Sequence, residues 1–230
     1  MKKDILLFDL DGTLTDPMVG ITKSVQYALR HYGIVEEDLE KLIPFIGPPL
    51  RDSFKKFYSF SDEQASEGVQ IYREYFQEKG IFENEEILGI REMLEALKEE
   101  GKLLFVATSK PEVYARRILE YFEMEHYFAF IGGADMEETR VSKGDVIQYV
   151  LERVGAMVKD EGEGITKAEE IKGQVLMIGD REHDILGAKE NGIQSVGVLF
   201  GYGSREELEA AGADWIVESV EELRRVLLGC

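Results

Sequence analysis

Sulfur chemistry is nearly absent from this sequence. Its one cysteine, Cys230, is the last residue, so no intrachain disulfide can form and thiol catalysis is not expected. The three histidines, His31, His126 and His183, are scattered and form no zinc-like spacing. Long apolar runs are missing as well: none approaches the ~18–20 residues that span a membrane. The opening "MKKDILLFDL" carries two lysines and a short apolar run, but Asp4 and Asp9 interrupt it and no small-residue cleavage site follows. A cytoplasmic protein is expected. Positive charge is also scarce, with 27 Lys and Arg against 46 Asp and Glu, a net charge of −19. Such a surface repels polyanions and anionic lipid, so neither nucleic acid nor membrane is expected as a partner. A small anionic substrate would then need a locally positive site.

What is present suits a soluble globular chain: 44% hydrophobic and 32% charged residues over 230 positions, enough for one large domain or a domain with an insert. Strand-length apolar runs recur at 5–10, 102–109, 129–134, 175–180, 194–201 and 214–219. They do not alternate, as expected for parallel strands covered on both faces. Helical patterns separate them. "EILGIREMLEALKEEG" places Ile87, Ile90, Leu94 and Leu97 on one face, and "PEVYARRILEYF" opens on Pro111. "SKGDVIQYVLERVG" repeats Val146, Ile147, Val150, Leu151 and Val154 and predicts a stop at Gly155. Strand then helix, repeated, predicts an α/β fold with a doubly wound, Rossmann-like parallel sheet. One break interrupts it. From Asp16 to Glu86 only helical patterns occur, which predicts an inserted helical domain (16–86) within a core of 1–15 and 87–230. The polar stretch 156–174 reads as a solvated loop with a short helix.

Ligands of doubly wound sheets bind at the carboxyl ends of the strands. "FDLDGTLTD" puts Asp9 and Asp11 at the end of the first run, where an extended chain would hold both on one face. Like charges that close need a cation or a chemical task. The second run ends in Thr108, Ser109 and Lys110, and the fourth in "GDREHD", with Asp180 and Asp184. Lys143 opens the helix after the third, with Ser142 as N-cap and Asp145 as its capping-box partner. Plainer readings stand beside these. Asp180 also suits an N-cap, Asp184 a solvated surface acid, and Thr108 and Ser109 ordinary turn residues. Pro111 in the first turn would put Lys110 or Ser109 at the cap, leaving helix-end N–H groups free for phosphate. As a set, the carboxylates fit Mg²⁺, and a carboxylate beside it can attack phosphorus while a second handles the proton.

These residues resemble the four motifs of the haloacid dehalogenase superfamily: "DLDGTLTD", "TSK", Lys143 and "GDREHD", in order over essentially the whole chain. The resemblance implies a Mg²⁺-dependent phosphomonoester hydrolase that works through an aspartyl-phosphate. By it, Asp9 is the nucleophile and Asp11 the general acid/base. Thr108, Ser109 and Lys143 bind the phosphoryl group. Asp9, the Asp11 carbonyl, Asp180 and Asp184 hold the metal, and the helical insert is a cap. The segment "FIGPPLRDSF" (45–54) resembles the phosphoglycolate phosphatase-like branch, in which Arg51 would reach the far end of an anionic substrate. Arg51 reads equally well as a surface arginine at a helix start. A small phosphorylated metabolite is the implied partner, phosphoglycolate first and a nucleoside 5′-monophosphate next, for a monomer or homodimer. A β-phosphoglucomutase-like phosphomutase and a non-catalytic binding protein are the alternatives.

Overall fold

Four consecutive apolar residues, Ile5–Phe8, form strand β1, and all four are buried. Side chains of a strand alternate in direction, so burial of all four means that both faces of β1 are covered. The computed structural model describes residues 4–137, 139–160 and 168–229 of the chain. By contact these fall into two units, 1–14 with 86–230 and 15–85.

The larger unit holds strands β1, β4 (Leu103–Pro111), β5 (Phe130–Ala134), β6 (Val175–Gly179), β7 (Gln194–Val198) and β8 (Trp215–Val217). They form one parallel sheet in the order β5-β4-β1-β6-β7-β8, the doubly wound arrangement the strand–helix repeat predicts. From β1 the chain winds outward on one side through β4 and β5, and on the other through β6, β7 and β8. The order therefore reverses at β1, and in open sheets the binding crevice lies at the carboxyl ends beside that reversal.

Helices α4 (Ile90–Glu99), α5 (Glu112–Tyr121), α6 (Lys143–Asp160), α7 (Ala168–Gln174), α8 (Glu182–Glu190), α9 (Arg205–Ala211) and α10 (Val220–Leu228) complete this unit. One core cluster joins Ile5 and Leu7 of β1, Phe105 of β4 and Met177 of β6 to Val146, Ile147, Val150 and Val154 of α6. Helix α6 does not stop at Gly155 as its sequence predicts. Val154 and Met157 continue its apolar stripe into that cluster, and the burial outweighs the helical cost of one glycine. Of the stretch 156–174, residues 161–167 lie outside the described residues, while α7 places Ile171 in the core. Helix α4 begins after Gly89 and so leaves out Ile87; Met93 takes that place on the buried face.

The smaller unit contains α1 (Met18–His31), α2 (Leu50–Tyr58) and α3 (Asp62–Glu78), with a 3-10 segment at Leu39–Phe45. Ser61 caps α3 through a reciprocal pair with Gln64. Phe45, Phe54 and Phe60 form its aromatic centre. The short strands β2 (Thr15–Asp16) and β3 (Glu85–Glu86) pair with each other where the chain passes between the units. No helix among the described residues is long and apolar enough to cross a membrane.

One irregularity in the sheet matters for the site. The β4–β5 register shifts between Thr108 and Pro111, so Ser109 and Lys110 bulge out of the ladder. Bulges redirect side chains and are common beside active sites. The bulged backbone passes so close to β5 that a Cβ on Gly133 would overlap the Lys110 carbonyl and the Glu112 backbone. Backbone cannot step aside as a flexible side chain can. Gly133→Ala is therefore expected to cost about 1–3 kcal/mol. Calorimetry should show a midpoint lower by roughly 2–4 °C per kcal/mol for a chain of this size. An unchanged midpoint would mean that the bulge is not held against β5.

Candidate active site

The pair Asp9/Asp11 is not held by an extended strand. β1 ends at Phe8, and although the Asp9 amide still donates to the Ile178 carbonyl at 2.9 Å, the chain then turns. Leu14 donates back to the Leu10 carbonyl at 2.8 Å, and Gly12 takes a φ of +77°, the left-handed region that favours glycine. A Cβ at Gly12 would also collide with the carboxylate of Asp180. Each aspartate has its own lysine.

Lys143, the first residue of α6, extends its ammonium to Asp9 Oδ1 at 2.9 Å and Asp184 Oδ1 at 2.7 Å. It also donates to the Ala107 carbonyl at 3.1 Å. Ser142 caps this helix as expected, accepting from the Asp145 amide, but its hydroxyl donates to the Asp145 carboxylate where a capping box would use the Ser142 amide. The second lysine is Lys110. Its Nζ stands 2.7 Å from Asp11 Oδ2, and both side chains are almost fully enclosed. Contrary to the sequence expectation, neither Lys110 nor Ser109 caps the helix that follows. Pro111 occupies the cap position of α5, no side chain caps that helix, and the bulge turns Lys110 to the carboxylate.

Asp180 follows β6 and is 1% exposed. It does not cap α8. Its Oδ2 accepts from the Tyr202 amide at 2.7 Å, and its Oδ1 has no hydrogen-bond partner among the described residues. Asp184 lies in the first turn of α8 and is fully buried, unlike a solvated surface acid; its Oδ2 accepts from the Arg181 amide at 3.0 Å. Glu207 of α9 steadies this corner from outside, its Oε1 accepting from Arg181 Nε and the Glu182 amide, both at 2.8 Å. Thr108 is buried at the end of β4, where its Oγ1 accepts from the Lys110 amide at 3.2 Å. Ser109 follows it on the bulge, half-buried. Arg51 belongs to the helical unit, where its side chain is 42% exposed and Nη2 lies 3.5 Å from Asp62.

Charge explains what this arrangement requires. Burial raises the pKa of Asp180 well above the usual carboxylate range, with Asp184 and Asp9 adding repulsion. Burial likewise pushes Asp184 up to about 6, against the pull of Lys143. Burial alone would lower the pKa of Lys143, but the carboxylates of Asp184 and Asp9 override it and raise the value. Four buried carboxylates (Asp9, Asp11, Asp180, Asp184) face two ammonium groups, Lys110 and Lys143, so two formal negative charges have no counterpart in the cluster. One oxygen each of Asp9, Asp180 and Asp184 lie within 4.8 Å of one another. Hard oxygen donors, one of them buried without a partner, and an excess of two negative charges fit a hard divalent cation such as Mg²⁺.

Sequence reasoning missed Lys110 as a charge partner of Asp11, and it missed the Tyr202 amide. The first was visible only as the third residue of "TSK". The second left a faint signal in the paired glycines of "LFGYGS", which follows a strand.

A cation bound here relieves the buried repulsion, and Asp180→Asn removes part of that repulsion while keeping an oxygen for Tyr202. In EDTA the variant is expected to melt at or above the wild-type temperature. Mg²⁺ at about 100 times its dissociation constant stabilises by ~2.7 kcal/mol. That should raise the wild-type midpoint by roughly 5–10 °C and the variant's far less, measured by calorimetry. Equal shifts in both would remove Asp180 from the metal set.

Comparison with known proteins supplies the family. A family model for "haloacid dehalogenase-like hydrolase" matches residues 6–198. A protein named 5′-nucleotidase from Pseudomonas aeruginosa is 44% identical over 222 residues, covering 96% of this chain and 94% of its own. A phosphoglycolate phosphatase from Vibrio parahaemolyticus is 26% identical over 97% of this chain and 95% of its own. The crystal structure of a "predicted phosphatase" from Clostridium acetobutylicum superposes with a TM-score of 0.90 at 44% identity, over 100% of both chains. The chain belongs to the haloacid dehalogenase-like hydrolases, and within them to the phosphatases.

Proposed function

We propose that this phosphatase hydrolyses phosphomonoesters of small metabolites through an aspartyl-phosphate on Asp9. The observation that carries the reading is the pair of buried aspartates, each held by its own lysine, at the carboxyl end of the strand where the sheet order reverses. Lys143 and the Leu10 amide both engage Asp9 Oδ1, which assigns the attack to Oδ2. That oxygen forms a bond to phosphorus as the ester P–O bond breaks. The bonding pair stays on the departing oxygen, which takes a proton from Asp11. Water then attacks the phosphorus and gives a proton to Asp11, and Asp9 leaves as the carboxylate. Thr108, Ser109 and Lys143 hold the phosphoryl oxygens during both steps, where donors fixed in advance contribute most. Mg²⁺ would be held by Asp9, the Asp11 carbonyl, Asp180 and Asp184, and when bound it shares the charge of the phosphoryl oxygens.

For the substrate, we place nucleoside 5′-monophosphates first, because the 44%-identical relative bears the name 5′-nucleotidase. Phosphoglycolate, the sequence expectation, comes second; the relative named for that activity is 26% identical. The helical unit is assigned the role of a cap that selects substrate and excludes water, with Arg51 at the start of α2 for the far end of the molecule.

Phosphate release with Mg²⁺ should be measured over nucleoside 5′-monophosphates, phosphoglycolate and sugar phosphates. One class is expected far above the rest, with nucleotides leading. Asp9→Asn is expected to lose roughly 10⁴-fold or more in kcat while melting as a folded protein. Turnover retained in that variant removes the nucleophile assignment, and release from no ester in the panel removes the hydrolase reading.

A further inference from the structure

The proposed chemistry uses Asp9, Asp11, Thr108, Ser109 and Lys143 and gives no task to the buried cation that meets Asp11. Lys110 is 8% exposed, its ammonium 2.7 Å from Asp11 Oδ2. It arrives there through the bulge of β4, which Gly133 permits by lacking a Cβ. Its main chain is held as well, since the Lys110 amide donates to Thr108 Oγ1. An ordinary strand residue needs none of this. Burying a lysine is unfavourable unless its charge is paired, and here the pairing is made to a second buried group.

The two oxygens of Asp11 consequently differ. Oδ2 is occupied by Lys110, and Oδ1 is buried with no hydrogen-bond partner among the described residues. We infer that Lys110 is a positioning residue for the acid–base step: by holding Oδ2 it fixes the Asp11 carboxyl so that Oδ1 alone exchanges the proton. In the first half-reaction the ester P–O bond breaks, its electron pair remains on the leaving oxygen, and the proton on Asp11 Oδ1 passes to that oxygen. Lys110 gives up no proton and touches no reacting atom. This inference rests on the phosphomonoesterase reading and adds to it a residue that acts only through Asp11.

Such a role has a signature that a structural lysine lacks. A leaving group that departs as a stable anion needs no proton, so it should not sense how Asp11 is held. A leaving alkoxide does. The experiment compares kcat/KM of wild type, Lys110→Met, Asp11→Asn and the double variant on 4-nitrophenyl phosphate and on adenosine 5′-monophosphate, with phosphoglycolate as a second alkyl ester. kcat/KM covers the steps through formation of the phospho-enzyme, where the leaving group departs. Lys110→Met is expected to lose ~10²-fold on the alkyl esters, within the range that general acid catalysis contributes. On 4-nitrophenyl phosphate it is expected to lose less than about five-fold, and Asp11→Asn should show the same contrast. Because both act through one carboxyl, the double variant should be no worse than Asp11→Asn alone.

An equal loss on aryl and alkyl esters would overturn the inference, and so would a double variant whose losses multiply. If Lys110→Met does not fold because it strands a buried carboxylate, the comparison of the double variant with Asp11→Asn decides, since neither carries that charge. A further ten-fold loss there overturns the inference, and parity supports it. A wild-type enzyme that hydrolyses none of the esters would be a separate failure, that of the phosphomonoesterase reading.

Discussion

Everything at the active end of this molecule follows from confining four carboxylates where little water reaches. Buried negative charge is unfavourable in a medium of low polarizability, and more so when the charges face one another. Lys143 answers part of that with a bridge between Asp9 and Asp184, and Lys110 another part with its contact to Asp11. The remainder shows in the raised pKa of Asp180 and in its Oδ1, which has no hydrogen-bond partner among the described residues. Such an excess of buried negative charge suits a hard cation. Unrelieved repulsion of this kind opposes folding, a trade found at many active sites.

Such a cluster requires a scaffold that resists relaxing away from it. The parallel sheet provides one. β1, β4 and β6 run side by side with their ladders satisfied, so the residues just past their ends are fixed in space before any side chain interacts. Three local devices then aim the groups: the left-handed turn at Gly12, the bulge at Ser109 and Lys110, and the backbone contact from Tyr202 to Asp180. Glu207 holds the start of α8 from a neighbouring helix. Each device uses backbone geometry, which is stiffer than a rotamer and better suited to holding charges a few ångströms apart.

Much of this was legible in the sequence. The six parallel strands appear as short apolar runs of Val, Ile, Leu and Phe, because a strand covered on both faces has no reason to alternate. Asp9, Lys143, Asp180 and Asp184 were nominated by their places after strands and at helix starts, and all four meet in one cluster. Local signals misled where tertiary burial outweighed them. Gly155 is a reasonable stop signal, yet α6 continues because Met157 still has core to cover. Asp180 and Asp184 read locally as cap and surface acid, and both are buried.

The sequence by itself determined the layer architecture and the residue types gathered at one sheet edge, since hydrophobic period and strand-end position are properties of a local segment. Only the tertiary structure decided which charge meets which. The Asp11–Lys110 pair spans 99 positions and depends on a two-residue bulge that neither segment announces. Asp180 finds its donor in a loop 22 residues on. Pairings of this kind are set by the register of strands and the close approach of backbones. Both are fixed by packing over the whole domain, so the pattern of one segment does not contain them.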